Sequence, residues 1–283
     1  MRGTVMPTIA VTGSSGSVGG AVAAHLAEAG TPQHLLVRDP SRAPKLPGAT
    51  VGTSSYADAE AATQALAGID VLFMVSGAEN ATRLADHRTF IDAAVQAGVR
   101  HIVYTSFFRA APDATFTLAR DHYFTEQHIR ESGLDHTFLR DNFYSDVMEL
   151  FAGEDGVIRG PAGEGRVSLV ARADVARVAA RVLTDPQQHV NKTFDLTGPE
   201  ALSMPEVAAT IADVRGRAVS FHDETLDEAY ESRSVWNAPD WQNDAWVSTY
   251  TAIASGELSA VTDDVERVTG RRAMTLREVL QNG

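Results

Sequence analysis

Short apolar runs alternate with amphipathic stretches through the first 140 residues of the chain. The apolar runs have the length of strands, and they predict strands at residues 9–11, 34–37, 49–52, 71–75, 101–105 and 136–139. The stretches between them predict helices at residues 20–29, 59–67, 86–97 and 122–132. Strands and helices that alternate with short links form a parallel sheet with helices on both faces, so the fold class is doubly wound α/β.

The turn between the first strand and the first helix carries three glycines. Gly13 allows a tight turn, Gly16 removes a side chain where backbone must approach a pyrophosphate, and Gly19 lets helix and strand pack closely. The unpaired N–H groups and the positive dipole end of the helix favour phosphate binding. The sequence therefore predicts a Rossmann-type dinucleotide site at the start of the chain.

The regular alternation of strands and helices ends beyond residue 145. Residues 153–165 are rich in glycine and predict turns; the elements predicted after them are a helix at 172–184, a strand at 193–196, helices opened by Ser203 and Thr275, and a strand at 219–222. We expect a Rossmann domain over residues 1–150, completed by later segments, and a smaller C-terminal α/β cap over residues 151–283 that binds substrate. Trp236, Trp241 and Trp246 fall close together there, the first two on either side of a turn-like stretch, and they form either an aromatic lid or ordinary packing.

The composition of the chain disfavours several classes of binding partner. A formal net charge of −13 over 283 residues disfavours general binding to nucleic acid or to an anionic membrane. The chain has no cysteine, no apolar run long enough to span a bilayer and no signal-peptide pattern at its start, so we expect a cytoplasmic protein. No metal site is expected, because the nine histidines show no paired ligand spacing.

Polar residues at strand ends are the candidate cofactor contacts. Arg38 follows the second strand, where an arginine pairs with a 2′-phosphate and an acidic residue binds a 2′-hydroxyl. Arg38 favours NADP(H), with Arg42 as a second donor, while Asp39 leaves NAD(H) open. Ser76 and Gly77 after the fourth strand, and Thr105 and Ser106 after the fifth, are either cofactor contacts or ordinary turn residues.

Several longer motifs resemble one protein family over nearly the full length. They are residues 12–19, 37–40, 97–99, 104–106, 122–126, 138–140, 172–176, 261–265 and 269–271, together with Tyr144. In this order they resemble the NmrA-like branch of the atypical short-chain dehydrogenases, above all its NADPH-dependent quinone oxidoreductases and triphenylmethane dye reductases.

The resemblance implies roles for individual residues. It implies that Gly13, Ser14, Ser15, Gly16, Ser17 and Val18 hold the pyrophosphate, that Arg38 holds the 2′-phosphate, and that Val75, Ser76 and Gly77 line the middle of the cofactor. It also implies that the segment from Asp141 to Asp146 flanks the nicotinamide and the substrate, with Asp141, Asn142 and Phe143 as cofactor contacts. The relatives usually have asparagine where this chain has Asp141, which weakens the transfer of a substrate assignment.

The proton donor is the least determined part of the site. Ordinary short-chain dehydrogenases use a tyrosine with a lysine four residues later, and this chain has only Lys45 and Lys192, neither of which follows a tyrosine at that spacing. His122 and Tyr144 are the catalytic candidates, although His122 could instead pair with Glu126 and Tyr144 could be a packing residue.

The sequence favours two functions over a third, an isomerase or epimerase that uses bound cofactor, because such enzymes usually need the missing tyrosine–lysine pair. The first is an NAD(P)H-dependent oxidoreductase that reduces a quinone or a similar conjugated small molecule, whose reduced form solvent can protonate. The alternative is an NmrA-type protein that senses the NADP redox state without turnover. The oligomeric state is open, with a homodimer as one alternative.

Overall fold

The computed structural model describes residues 7–283, so the start of the chain, where no signal-peptide pattern is expected, lies outside the described residues but for Pro7. The strands are β1 (Ile9–Thr12), β2 (Gln33–Val37), β3 (Ala49–Thr53), β4 (Val71–Met74), β5 (His101–Phe107), β6 (Asp135–Asp141), β7 (Val157–Gly160), β8 (Arg166–Val167), β9 (Lys192–Leu196), β10 (Leu202–Ser203) and β11 (Ser220–Asp223). The α-helices are α1 (Ser17–Glu28), α2 (Ala59–Ala65), α3 (Arg83–Ala97), α4 (Thr117–Glu131), α5 (Arg172–Thr184), α6 (Met204–Arg215), α7 (Leu226–Arg233), α8 (Asp240–Ala254), α9 (Asp264–Thr269) and α10 (Leu276–Asn282). Short 3₁₀ helices cover Pro40–Arg42, Ser145–Ala152, Pro186–His189 and Ser234–Trp236.

Seven strands form a parallel sheet in the order β3-β2-β1-β4-β5-β6-β9. Ile9 of β1 pairs with Gln33 of β2 on one side and with Val71 of β4 on the other. The strand order reverses at β1, and in such sheets the ligand crevice lies beyond the carboxyl ends of the strands at this reversal. The predicted doubly wound α/β fold is confirmed.

The chain folds into two compact units that are each discontinuous along the sequence. Residues 7–106, Phe124–Leu139 and Val175–Phe194 belong to the first unit, and Phe107–Tyr123, Arg140–Asp174 and Asp195–Gly283 belong to the second. The first unit contains most of the large sheet. The domain boundary expected near residue 150 stays a prediction.

Buried strands and one helix face build the core of the first unit. All four residues of β1 and of β4 are buried, as expected of strands covered on both faces. Phe90 and Ile91 of α3 pack with Leu72 and Met74 of β4 in one apolar cluster. Asp58 caps α2 by accepting a hydrogen bond from the Ala61 amide at 3.0 Å. The core and the caps therefore follow directly from the apolar pattern.

The second unit corrects one prediction from the sequence. Residues 153–165, expected to form turns, include β7, which pairs in parallel with β11. A Cβ atom at Gly160 would lie 2.3 Å from the Tyr250 ring, so this glycine admits the side chain of α8 instead of making a turn. The helices predicted to open at Ser203 and Thr275 are confirmed, and each begins with a capping box, to Glu206 and Glu278 respectively.

Two buried histidines of the first unit predict a loss of stability in acid. Burial lowers the pKa of His101 to about 4, and burial with the nearby Arg83 lowers that of His87 to about 3. Below pH 6.5 the unfolded chain protonates both rings while the folded chain does not. Unfolding free energy should therefore fall between pH 6.5 and 4, by up to about 1.4 kcal/mol per pH unit for each ring.

Urea unfolding at pH 7, 6 and 5 measures this slope. His101→Gln removes one titrating ring, so its unfolding free energy should change less steeply with pH than that of the parent chain. Equal slopes for the two proteins would contradict the assignment.

Candidate functional site

The turn after β1 has the shape of an anion cradle. Gly13 has a φ of +63°, in the left-handed region that favours glycine, and the Gly16 amide donates to the Gly13 carbonyl at 2.8 Å. No side chain caps the N-terminus of α1, and its first turn holds no acidic residue. Its first amides thus have no competing side-chain acceptor and are available to a phosphate. Ser15, Gly16 and Ser17 are exposed.

Ser14 gives an independent test of this cradle. Its side chain is buried, and its Oγ atom has no hydrogen-bond partner within residues 7–283. A buried hydroxyl without a partner is costly, and a bound phosphate oxygen would supply one. The residues present therefore fit a nucleotide pyrophosphate.

Gly19 holds the helix against the strand. A Cβ atom at this position would lie 2.4 Å from the Gly13 carbonyl oxygen and 2.5 Å from that of Thr12. Both contacts are to backbone, so no side-chain movement relieves them. Val18 beside it is buried. The close packing expected of the third glycine is present.

Arg38 and Asp39 occupy the end of β2, as predicted, and differ in their surroundings. Asp39 caps the 3₁₀ turn that follows, because its Oδ1 accepts from the Ser41 amide at 3.0 Å and from the Ser41 hydroxyl at 2.7 Å. These hydrogen bonds lower the pKa of Asp39. The Arg38 side chain is exposed, and no ion pair or hydrogen bond engages it in the described part of the chain. Arg38 is therefore the group at this strand end that is available for a 2′-phosphate.

The loop after β4 is fixed by three side chains. The Val75 amide donates to Thr12 Oγ1 at 2.9 Å, and the Ser76 amide donates to Thr105 Oγ1 at 2.7 Å. The Gly77 amide donates to Nε2 of His87, a residue of α3, at 2.8 Å. These bonds join the predicted residues at the ends of β1, β4 and β5. Thr105 is buried, and its hydroxyl is used for holding the loop.

Tyr56 takes part in the same network and was not predicted from the sequence. Its hydroxyl donates to the Val75 carbonyl at 2.5 Å and lies 2.6 Å from Thr12 Oγ1. Burial raises the pKa of Tyr56, so the phenol stays protonated and can donate. The tyrosine follows β3 by three residues, and only this position after a strand end hinted at a role.

Ser106 and Glu126 form a buried pair in the first unit. The Ser106 hydroxyl donates to Glu126 Oε1 at 2.6 Å, and Arg130 donates to Oε2 at 3.0 Å. Both Ser106 and Glu126 are fully buried. The predicted contact residue Ser106 thus orients toward a carboxylate on α4.

Asp141 and Asn142, in the second unit, are both bound to neighbouring groups. The Tyr144 hydroxyl donates to Asp141 Oδ2 in a short hydrogen bond, and the Arg172 guanidinium lies 5.0 Å from the Tyr144 ring centre. Burial and the Asp141 carboxylate raise the pKa of Tyr144 well above its ordinary value. The Asn142 amide nitrogen donates to Ser168 Oγ and to the Leu258 carbonyl, both at 3.0 Å.

An aromatic cluster surrounds the other predicted residues of the second unit. The Phe143 ring centre lies 5.1 Å from that of Phe107 and 5.0 Å from that of Phe116. His122 is buried, with its ring centre 6.1 Å from that of Phe107. Trp236, in contrast, is 63% exposed. His122 and Phe143 thus both lie beside the Phe107 ring.

The parallel sheet, the glycine turn and the uncapped helix together define a dinucleotide-binding α/β protein. A family model described as NAD(P)H-binding matches residues 13–186. The chain belongs to this NAD(P)H-binding family.

The chain is similar to known reductases over nearly its whole length. The chain is 34% identical to the NAD(P)H azoreductase of Xenophilus azovorans over 275 residues, which cover 95% of this chain and 96% of that one. A crystal structure of the NADPH-dependent quinone oxidoreductase of Escherichia coli, complexed with NADPH, matches with a TM-score of 0.89 at 30% identity, covering 97% of this chain and 99% of the other. The Citrobacter sp. triphenylmethane reductase complexed with NADP(H) matches with a TM-score of 0.86 at 31% identity, covering 97% and 99%. The predicted family and the predicted class, an NAD(P)H-dependent oxidoreductase, are confirmed.

Within residues 7–283 no helix is long and apolar enough to cross a membrane. In the same part of the chain, no three acidic or histidine side chains are grouped so that they could hold a metal ion.

Proposed function

We propose that this protein is a reductase that uses NADPH in preference to NADH and that passes hydride to a quinone or a similar conjugated small molecule. Two residues of α4 support a quinone-like molecule as the hydride acceptor. His122 and Glu126 stand there at the spacing of the tyrosine and lysine of ordinary short-chain dehydrogenases, and the buried Glu126 binds Ser106 and Arg130. A carboxylate cannot lower the pKa of a phenol as an ammonium group does. Such a site suits acceptors whose reduced form needs no dedicated acid.

In this proposal each group has a defined task. The amides of residues 13–18 bind the pyrophosphate, Arg38 binds the 2′-phosphate, and the fixed loop of residues 75–77 lines the cofactor. Bound NADPH supplies the hydride. Asp141, Asn142 and Phe143 as neighbours of the nicotinamide stay a prediction, which the aromatic cluster around Phe143 supports by offering flat apolar surface to a conjugated ring.

Tyr144 is poorly suited to release a proton at neutral pH. The raised pKa of Tyr144 and its hydrogen bond to Asp141 keep its proton in place. His122 is buried beside Phe107. We therefore propose that the final proton comes from solvent, and His122 and Tyr144 as donors stay predictions.

Turnover tests the function directly. Purified protein should oxidise NADPH when a panel of benzoquinones and naphthoquinones is supplied, followed by absorbance at the nicotinamide band. A simple ketone or aldehyde serves as the control and should support little oxidation. Tight NADPH binding without turnover of any acceptor would overturn the proposal and favour the redox-sensing alternative.

Replacing His122 by asparagine should lower kcat with a quinone by less than about tenfold, because a dedicated general acid contributes about 100- to 10,000-fold. The measurement is kcat at saturating NADPH and quinone, with Tyr144→Phe measured alongside. A loss of about 100-fold or more in the His122 variant would identify it as the acid.

Compartment and assembly complete the proposal. The lack of cysteine is compatible with a reducing cytoplasm, and we propose that location. A homodimer is the assembly that light scattering of purified protein should test first.

A further inference from the structure

His87 is a fully buried side chain of α3 that contacts the loop after β4. Its Nε2 atom accepts the hydrogen bond from the Gly77 amide at 2.8 Å. An imidazole nitrogen that accepts carries no proton, so the proton must be on Nδ1. Nδ1 lies 3.0 Å from Thr125 Oγ1, which therefore accepts it.

The same glycine is held from its other side. Arg83 Nε donates to the Gly77 carbonyl at 3.0 Å, so both backbone polar groups of this residue are bound by side chains of α3. A Cβ atom at Gly77 would lie 3.1 Å from His87 Nε2, which shows how closely the loop packs on the ring. A residue with a side chain at position 77 would fit only if the His87 ring or the loop moved.

The surroundings of His87 also keep its ring neutral, the form in which Nε2 can accept a hydrogen bond. Burial, followed by the nearby Arg83, lowers the pKa of His87 to about 3. Thr125 in turn hydrogen-bonds the buried Tyr104, so the acceptor of the Nδ1 proton is itself fixed. The neutral tautomer with a bare Nε2 is thereby specified by its surroundings.

We propose that His87 is a positioning residue for nucleotide binding: through Nε2 it holds the Gly77 amide and so fixes the course of the loop of residues 75–77. The inference rests on the proposed function, which makes that loop part of the cofactor site. It deepens that function by assigning a residue that touches no cofactor itself.

Two amide variants separate the two ring nitrogens. In His87→Gln the side-chain oxygen reaches the place of Nε2 and can still accept from Gly77, whereas in His87→Asn it reaches only the place of Nδ1. We expect His87→Asn to raise the NADPH Kd about tenfold, which corresponds to about 1.4 kcal/mol. We expect His87→Gln to stay within about threefold of the parent chain, since the acceptor is retained. At saturating NADPH, kcat should be little changed in both, so the effect appears in KM.

His101 provides the matched control. It is a second buried histidine of the first unit, paired with Thr137 Oγ1 at 2.9 Å, but it opens β5 and so lies at the amino end of its strand. His101→Asn should lower Tm and leave the NADPH Kd unchanged. A purely structural role of His87 predicts the same result for His87→Asn.

Each outcome decides between the hypotheses. Equal Kd values for His87→Asn and His87→Gln, or an equal rise in His101→Asn, would overturn the inference. If His87→Asn does not fold, Thr125→Val is measured instead. That variant frees the Nδ1 proton to move to Nε2, and it should raise Kd while leaving kcat unchanged; an unaltered Kd would count against the inference. Failure of the parent chain to bind NADPH would refute the proposed function, whereas binding that His87→Asn leaves intact refutes only this inference.

Discussion

Replacing Gly19 by alanine is expected to weaken NADPH binding by at least about 100-fold, equivalent to about 2.7 kcal/mol. The new Cβ atom would lie 2.4 Å from the Gly13 carbonyl oxygen and 2.5 Å from the Thr12 carbonyl oxygen. Backbone at this point is the cradle itself, so α1 must move away from β1 and carry its first amides with it. Isothermal titration with NADPH measures the loss, and a fall in Tm should accompany it.

Gly16→Ala is the matched comparison for this prediction. A Cβ atom there would lie 3.3 Å from the Gly13 carbonyl oxygen, a tight contact that a shift of a few tenths of an ångström relieves, so Tm should fall less than in Gly19→Ala. NADPH binding should nevertheless weaken, because the methyl group would stand where backbone approaches the pyrophosphate. Normal binding by Gly19→Ala would contradict the role of the cradle. Normal binding by Gly16→Ala would show that the phosphates approach elsewhere.

Replacing Arg38 by glutamine is expected to lower NADPH affinity by about 10- to 100-fold and to leave NADH affinity nearly unchanged. A hydrogen bond to a charged group contributes about 1.5–3 kcal/mol, and only NADPH carries the 2′-phosphate that Arg38 would bind. The exposed Arg38 side chain is free for this contact, whereas Asp39 is already used by Ser41. The ratio of the two Kd values, measured by fluorescence titration, is the readout.

Arg42→Gln controls for the loss of one positive charge near the same strand end. It should change the ratio less than Arg38→Gln, because the sequence predicts Arg42 only as a second donor. A parallel loss of affinity for both nucleotides in Arg38→Gln would mean that the arginine acts on the fold or on the pyrophosphate. An unchanged ratio would remove Arg38 from the recognition of the 2′-phosphate.

The sequence was sufficient to predict the strands of the sheet and the backbone conformation of the cradle. Strands such as β1 and β4 are buried along their whole length, so their apolar runs are unambiguous. The positive φ of Gly13 and the close packing at Gly19 follow from local chain geometry, which glycine spacing reports directly. Capping boxes at Ser203 and Thr275 are equally local signals.

Other features depend on contacts between distant residues, and no local pattern reports them. The sequence predicts no element over residues 226–254, yet α7 and α8 lie there, and Pro239 precedes α8 without a side-chain cap. The glycine at position 160 serves a contact with Tyr250, which is 90 residues away in the chain, and not a turn. Tyr56 and His87 reach the loop after β4 across sequence separations of 19 and 10 residues. The resemblance implies a cofactor contact for Asn142, but its amide nitrogen donates to Ser168 and Leu258 inside the second unit.

The tethered amides of Val75, Ser76 and Gly77 have an energetic consequence for encounter with the nucleotide. Thr12, Thr105 and His87 already restrict this segment before any ligand arrives, so its conformational entropy is lost during folding and not at association. A preorganised wall of this kind favours fast association with little structural rearrangement. Amide protons in this segment should therefore exchange slowly with deuterium even in the free protein.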